Sequence, residues 1–193
     1  MKRRSISIVL LLPAVFLAAC QSSPGADATQ PADTAALSRD HGYALLYSTI
    51  GEECDVDKVL IIKSPAPQVV ELIKAIGQFS RNTKATLELL AKEDPAIALD
   101  KQGLPEVESK TRDAISSATS KRILFSGGKE LEFRLLLTQH EALNYITHLA
   151  GSVSDQDPRD NRKRYLSQLA KESDALHERV LMQLKSPYIG QPK

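Results

Sequence analysis

Four stretches of the chain repeat apolar side chains at three- and four-residue spacing, the period of a single helix face. In residues 67–94 the stripe is Val69, Leu72, Ile73, Ile76, Phe79, Leu87 and Leu90, with Thr83 bridging its gap. Pro67 stands near the start and Pro95 just past the end, where a missing amide is first tolerated and then terminating. Leu104-Pro105-Glu106 opens a second helix whose stripe, Val107, Ala114, Ile115 and Ala118, is thinner, and Gly127-Gly128 stops it. Residues 129–150 are the most apolar: Leu131, Phe133, Leu135, Leu136, Leu137, Ala142, Leu143, Tyr145, Ile146 and Leu149 cover more than one face, so this helix is expected to be the most buried. The last begins at Asp157-Pro158, read as an N-cap followed by proline at the first helical position, with Asp160 adding a favourable charge. Leu166, Leu169, Ser173, Leu176, Val180 and Leu184 form its packed face.

Helices with one apolar face bury it best against each other, so the pattern predicts an all-α fold, an up-down-up-down four-helix bundle. The connections at 127–128 and 151–157 are short and imply antiparallel neighbours, whereas 95–104 allows a longer crossing. Residues 37–63 read as a short N-terminal helical hairpin flanking the bundle. Ala44-Leu45-Leu46-Tyr47 reads as a short helix ending near Gly51, and Val59-Leu60-Ile61-Ile62 as a helical turn or a strand, of which the turn is favoured because a lone strand would lack partners in a helical chain.

Ahead of these elements lies a different pattern. Lys2, Arg3 and Arg4 precede an apolar run from Ile6 to Leu17, interrupted by Pro13, and the run closes on Leu17-Ala18-Ala19-Cys20. A membrane-spanning helix needs about 20 apolar residues, and this run is too short. It has the build of a secretory signal. Its last four residues resemble the bacterial lipobox. That resemblance implies cleavage after residue 19 and a diacylglyceryl lipid and palmitate-type acyl chains on Cys20, the mature first residue. Several chains together hold a protein stably where one alone is marginal. Gln21, not Asp, follows the cysteine, which by the sorting rule of enteric bacteria implies the outer membrane, facing the periplasm. The expected organisation is therefore a signal peptide over 1–19, a lipidated cysteine and disordered linker over 20–36, and a helical domain over 37–190. Residues 21–36 are small, polar and proline-rich, and cannot repay the entropy of ordering. As a flexible coil they reach roughly 20–25 Å, so the domain stays close to its membrane.

The leader carries three of the 25 basic residues, so the remainder holds 22 against 24 acidic ones, a formal charge of −2. Nucleic acid is not an expected partner. Tryptophan is absent and only four Phe and five Tyr occur, which suits an aliphatic helical core. With Cys20 committed to lipid, Cys54 is left without a partner for a disulfide.

The richest polar cluster is Gln139, His140, Glu141, Asn144, Thr147 and His148, of which His140, Asn144 and His148 recur every four residues along one stripe. Asp174 and His177 stand three apart on the last helix. Histidines and carboxylates facing into a bundle make metal sites, and His140, Glu141, His148, Asp174 and His177 are the metal-ligand candidates. The arrangement shows a weak architectural resemblance to ferritin-like di-iron bundles, which implies metal storage or oxidoreductase chemistry. That class needs two Glu-x-x-His pairs and two further Glu. Here Asn144 occupies the place of one histidine and Asp174 that of one glutamate, while Glu71 and Glu88 resemble ordinary surface carboxylates. In Glu52-Glu53-Cys54-Asp55-Val56-Asp57 the negative field is expected to raise the thiol pKa, and the spacing lacks that of a calcium loop. The basic run Arg159, Arg162, Lys163, Arg164 reads as a solvated face balanced by Asp155, Asp157 and Asp160, or as a contact for anionic lipid headgroups.

No phosphate loop, nucleophile elbow or zinc-protease motif occurs, and no catalytic residue is assigned. The sequence therefore points to a lipid-anchored cell-envelope protein acting by binding or structural contact, with the membrane and an unidentified envelope protein as partners. No cofactor beyond the covalent lipid is expected. The alternative is the divergent ferritin-like metal binder, and a third reading is a peptide- or lipid-binding groove left by the thin second helix. Cells grown on labelled palmitate are expected to label this chain and not its Cys20→Ser variant; equal labelling of both contradicts the lipobox reading.

Overall fold

The computed structural model describes residues 31–189, which form α1 (Pro31–Glu53), a 3₁₀ turn (Val56–Ile61), α2 (Pro67–Glu93), α3 (Glu106–Phe125), α4 (Gly128–Gln156) and α5 (Asp160–Ile189). The signal segment, Cys20 and linker residues 21–30 lie outside the described residues. No described helix is long and apolar enough to cross a membrane.

The fold is an all-α bundle in which successive helices reverse direction. Side-chain pairs fix the alignment. Tyr43 reaches Asp157, Tyr47 reaches Glu88, Ser173 reaches the Leu143 carbonyl and Arg162 reaches Asp94. These pairs gather the start of α1, the end of α2, the end of α4 and the start of α5 at one end, the upper end. At the lower end Glu132 of α4 accepts the Ala66 amide at 2.7 Å, capping α2, and Lys63 donates to the Ser126 carbonyl at 2.7 Å.

The four helices that enclose the core are α1, α2, α5 and α4, each packed on the next. Residues 37–53 are therefore not half of a flanking hairpin but most of a full bundle helix, and α1 starts at Pro31, inside the segment expected to be linker. Its Tyr43, Ala44, Leu46 and Ile50 are completely buried. The helix set aside is α3, in which no residue is buried. The reason lies in side-chain volume: two Ala among four stripe positions offer too little apolar surface to compete with Tyr43, Leu46 and Ile50 for a place at the core.

The core has two halves joined at Phe79. The upper half collects Tyr43, Leu46, Ile50, Leu87, Ile146 and Leu166, and the lower half Val69, Leu72, Ile73, Leu135, Leu143 and Val180. Below Ile50 the 3₁₀ turn takes over from α1, with Val56, Val59 and Leu60 packing on the lower half. At two places close approach demands glycine. A Cβ on Gly42 would lie 2.6 Å from Val153 Cγ2 on α4, and one on Gly103, whose φ is +65°, would fall 2.2 Å from the His41 ring.

The upper end is locked by a buried polar cluster. The Tyr43 hydroxyl donates to Asp157 Oδ2 at 2.6 Å, Arg162 Nε donates to Asp157 Oδ1 at 2.9 Å, and Arg162 Nη1 bonds Asp94. The side chains of Asp157 and Arg162 are 0% and 4% exposed. Removing one member of such a pair leaves the other charge buried and costs about 3–5 kcal/mol. This corrects two expectations. Asp157 is not the N-cap of a helix starting at Pro158, since α4 continues to Gln156 and α5 begins at Asp160; its carboxylate instead accepts the Arg159 amide at 2.8 Å and ties the turn together. Arg162 is not part of a solvated or lipid-facing run, and Arg159 pairs with Asp94 at 3.0 Å. Burial pushes the Asp157 carboxyl up, but the hydrogen bonds from Tyr43, the Arg159 amide and Arg162 outweigh it and hold the group below the usual carboxylate range.

Candidate functional site

With α3 outside the core, a groove of about 790 Å³ opens between it and the α1–α4 surface. The chain crosses from the upper end to the lower along α3, whose C-terminal end is tied by the Lys63 bond to the Ser126 carbonyl and which makes two side-chain attachments to the bundle. Arg112 lies over the Tyr145 ring, 5.6 Å from its centre, and Ile123 packs on the lower core. The groove is walled by Val56 and Val59 of the 3₁₀ turn and Ile62 just after it, by Ile115 and Leu124 of α3, and by Leu135 and Ala142 of α4. Polar residues line it as well: Thr49, Glu52, Glu53, Asp55 and Lys58 on one side, Arg112, Ser116, Thr119 and Ser120 on α3, and Thr138, Gln139, Glu141 and Tyr145 on α4.

Glu53 and Gln139 form the site's most unusual pair. Gln139 is 2% exposed, and its Nε2 donates to Glu53 Oε2 at 2.7 Å, joining α1 to α4. Its carbonyl oxygen is buried without a partner. Burial pushes the Glu53 carboxyl up to about 7; the Gln139 hydrogen bond pulls the other way and Glu52 adds a further upward push. Glu52 is also raised, chiefly by burial. Near neutral pH the groove thus holds a carboxyl able to donate or accept, beside an unused acceptor. Arg112 is bound to Glu108 at 2.8 Å, and its charge at the groove edge opposes the upward push of burial on Glu52.

Gln139 stood in the polar cluster read from sequence, but as a neighbour of His140 rather than as a groove residue. Its register gave the usable signal: Leu131, Leu135, Gln139 and Leu143 recur every four residues, so one amide sits where the core expects an aliphatic side chain. Glu53 carried no such signal, because its burial depends on α4.

The carboxylates around Cys54 do not converge. Asp57 pairs with Arg81 at 3.0 Å, Asp55 with Lys58 at 2.6 Å, and Glu53 with Gln139. The Cys54 thiol is raised as expected, but by burial first; Lys84 and Arg81 oppose it, and Asp55 and Glu53 add only a lesser part.

The metal-ligand candidates divide. His140 and His177 meet across the α4–α5 seam, with His177 Nε2 2.6 Å from His140 Nδ1. Asp174 joins His177, together with Glu178, which the sequence reading did not include. Glu141 lines the groove on another side of α4, and His148 is exposed. The di-iron arrangement is not what the bundle interior offers: at its centre the buried polar groups are the hydroxyls of Ser80, Thr83 and Ser173. Glu88 accepts the Tyr47 hydroxyl at 2.7 Å, and Glu71 is exposed.

The raised Glu53 gives a signed pH dependence. The folded chain keeps this proton up to about 7 while the unfolded chain releases it near 4.5, so stability falls as pH rises through that interval. Thermal unfolding of Glu53→Gln is expected to lose this part of the slope and to exceed the parent in Tm at pH 8. A slope unchanged in the variant contradicts the assignment. No family model, curated protein or solved structure matches the chain, so the groove and the histidine seam are its functional candidates on geometry alone.

Proposed function

We propose that this chain is a lipid-anchored protein of the bacterial cell envelope, attached through Cys20 at the outer membrane and facing the periplasm. It acts by binding an amphiphile in the groove beneath α3. The observation that carries the binding role is this groove. Its volume falls in the range of about 300–1,000 Å³ typical of small-molecule sites, and apolar side chains from the 3₁₀ segment, α3 and α4 line it together with polar groups that include the buried Glu53–Gln139 pair. A hydrocarbon chain suits the walls. The unpartnered Gln139 oxygen calls for a head group with a hydrogen-bond donor, such as a hydroxyl or amide.

Two further features support this reading. With α1 starting at Pro31, a leash of residues 21–30 reaching roughly 15–20 Å as a flexible coil keeps the domain where amphiphiles are concentrated. The helix over the groove is the one least bound to the rest: Ile115 is 60% exposed, Val107 72% and Phe125 90%. A helix with so little buried surface can swing out at low cost and admit a ligand.

Residues 21–193 are expected to bind a fluorescent long-chain alcohol and to release it to unlabelled hexadecanol. Ser116→Trp, placed on the exposed α3 wall of the groove, is expected to weaken binding about tenfold or more, equivalent to about 1.4 kcal/mol. Equal affinity in parent and variant contradicts the groove as the site, and displacement by an apolar peptide but not by hexadecanol contradicts the amphiphile.

A further inference from the structure

On the opposite seam of α4 a second constellation has no part in the groove. His140 projects from α4 and His177 from α5, and their rings lie within 21° of parallel with centres 4.6 Å apart, meeting nitrogen to nitrogen at 2.6 Å. His177 is 8% exposed, so its ring is held by the packing of the seam. Around it on α5, one oxygen each of Asp174 and Glu178 and a ring nitrogen of His177 all lie within 4.8 Å of one another. Asp174 and Glu178 are both exposed.

We propose that a divalent transition-metal ion of the zinc class binds across the α4–α5 seam, held by the imidazoles of His140 and His177 and by one carboxylate, from Asp174 or Glu178. Imidazole nitrogen together with carboxylate oxygen is a donor set for zinc, copper or nickel rather than for magnesium or calcium, which take oxygen ligands. The geometry requires little movement. Two tetrahedral ligands at a metal–nitrogen length of about 2.0–2.1 Å stand about 3.3 Å apart, so the imidazoles must separate by less than 1 Å. The carboxylates, exposed on α5, are free to close on the ion. In the absence of metal the two nitrogens approach so closely only through a shared N–H···N hydrogen bond, and the ion takes its place when the donor ring shifts that proton to its other nitrogen, leaving a lone pair on each facing nitrogen. A bound ion joins α4 to α5 at mid-height and stabilises the folded chain by mass action.

Equilibrium dialysis of the full chain against zinc chloride, with metal analysis, is expected to give one ion per chain. His140→Ala and His177→Ala each weaken binding by about 10–100-fold, while His148→Ala leaves it unchanged. Because His177 is buried, its loss can disturb the seam, so the unmodified chain supplies a second readout. On zinc addition the imidazole NMR signals of His140 and His177 shift, and those of His41 and His148 stay. No stoichiometric zinc, zinc held undiminished by the His140→Ala/His177→Ala double variant, or shifts confined to His41 or His148 would each overturn the site.

Discussion

One buried ion cluster sets the arrangement of this chain. Arg162 is sealed between Asp157 and Asp94, and Asp157 also holds the Tyr43 hydroxyl, so one guanidinium binds the end of α2, the α4–α5 turn and the start of α5 to α1. Charges out of water are tolerated only when each has its partner. The helices that contribute a partner are therefore the helices that close the core. α3 contributes none. It is also the helix with the thinnest apolar stripe, and the polar and apolar constraints thus agree in leaving it outside.

The position of α3 has functional consequences. A connection between α2 and α4 could have crossed as an irregular loop, but here it is a 20-residue helix held by Arg112 on Tyr145, by Ile123 on the lower core and by the Lys63 bond to the Ser126 carbonyl at its end. The space beneath is apolar along most of its length, with an amide and a raised carboxyl joined at its α1–α4 wall. On the other side of α4 the histidine pair occupies the tight seam with α5, where the surrounding packing fixes the rings. One helix thus serves two surfaces with opposite properties: a loosely covered groove and a rigid seam.

Much of this was legible from the amino acids. The helical period of 67–93, 128–150 and 160–184 is long and strongly apolar, and Pro67, Pro95 and Gly127-Gly128 punctuate it, so the all-α bundle follows. Which four helices close the core was less legible. The apolar positions Tyr43, Ala44, Leu46 and Ile50 fall in a short stretch flanked by Ala and polar residues, and they gain their burial from α2 and α4 rather than from local pattern. Arg162 looked like one member of a basic run because sequence spacing does not reveal that Asp94, 68 residues away, reaches it. Of the metal-ligand candidates, His140 and His177 meet because α4 and α5 run antiparallel from a tight turn and Asp174 adjoins His177 on α5, whereas Glu141 and His148 lie on other sides of α4. The Glu53–Gln139 pair depends on a contact across 86 positions, and only the polar break in the α4 stripe hinted at it.

An anchored bundle with one loosely attached helix over an apolar groove is the physical basis for a binding role near a membrane. The claim rests on α3 opening independently of the four helices locked by Arg162. Native-state hydrogen exchange measures this most directly. The account predicts that amides in the middle of α3 exchange faster than those at the centre of α4 by on the order of a hundredfold or more, through local opening that leaves the core protected. Protection of α3 equal to that of α4 would mean that the helix unfolds only with the whole bundle, and would contradict an opening groove.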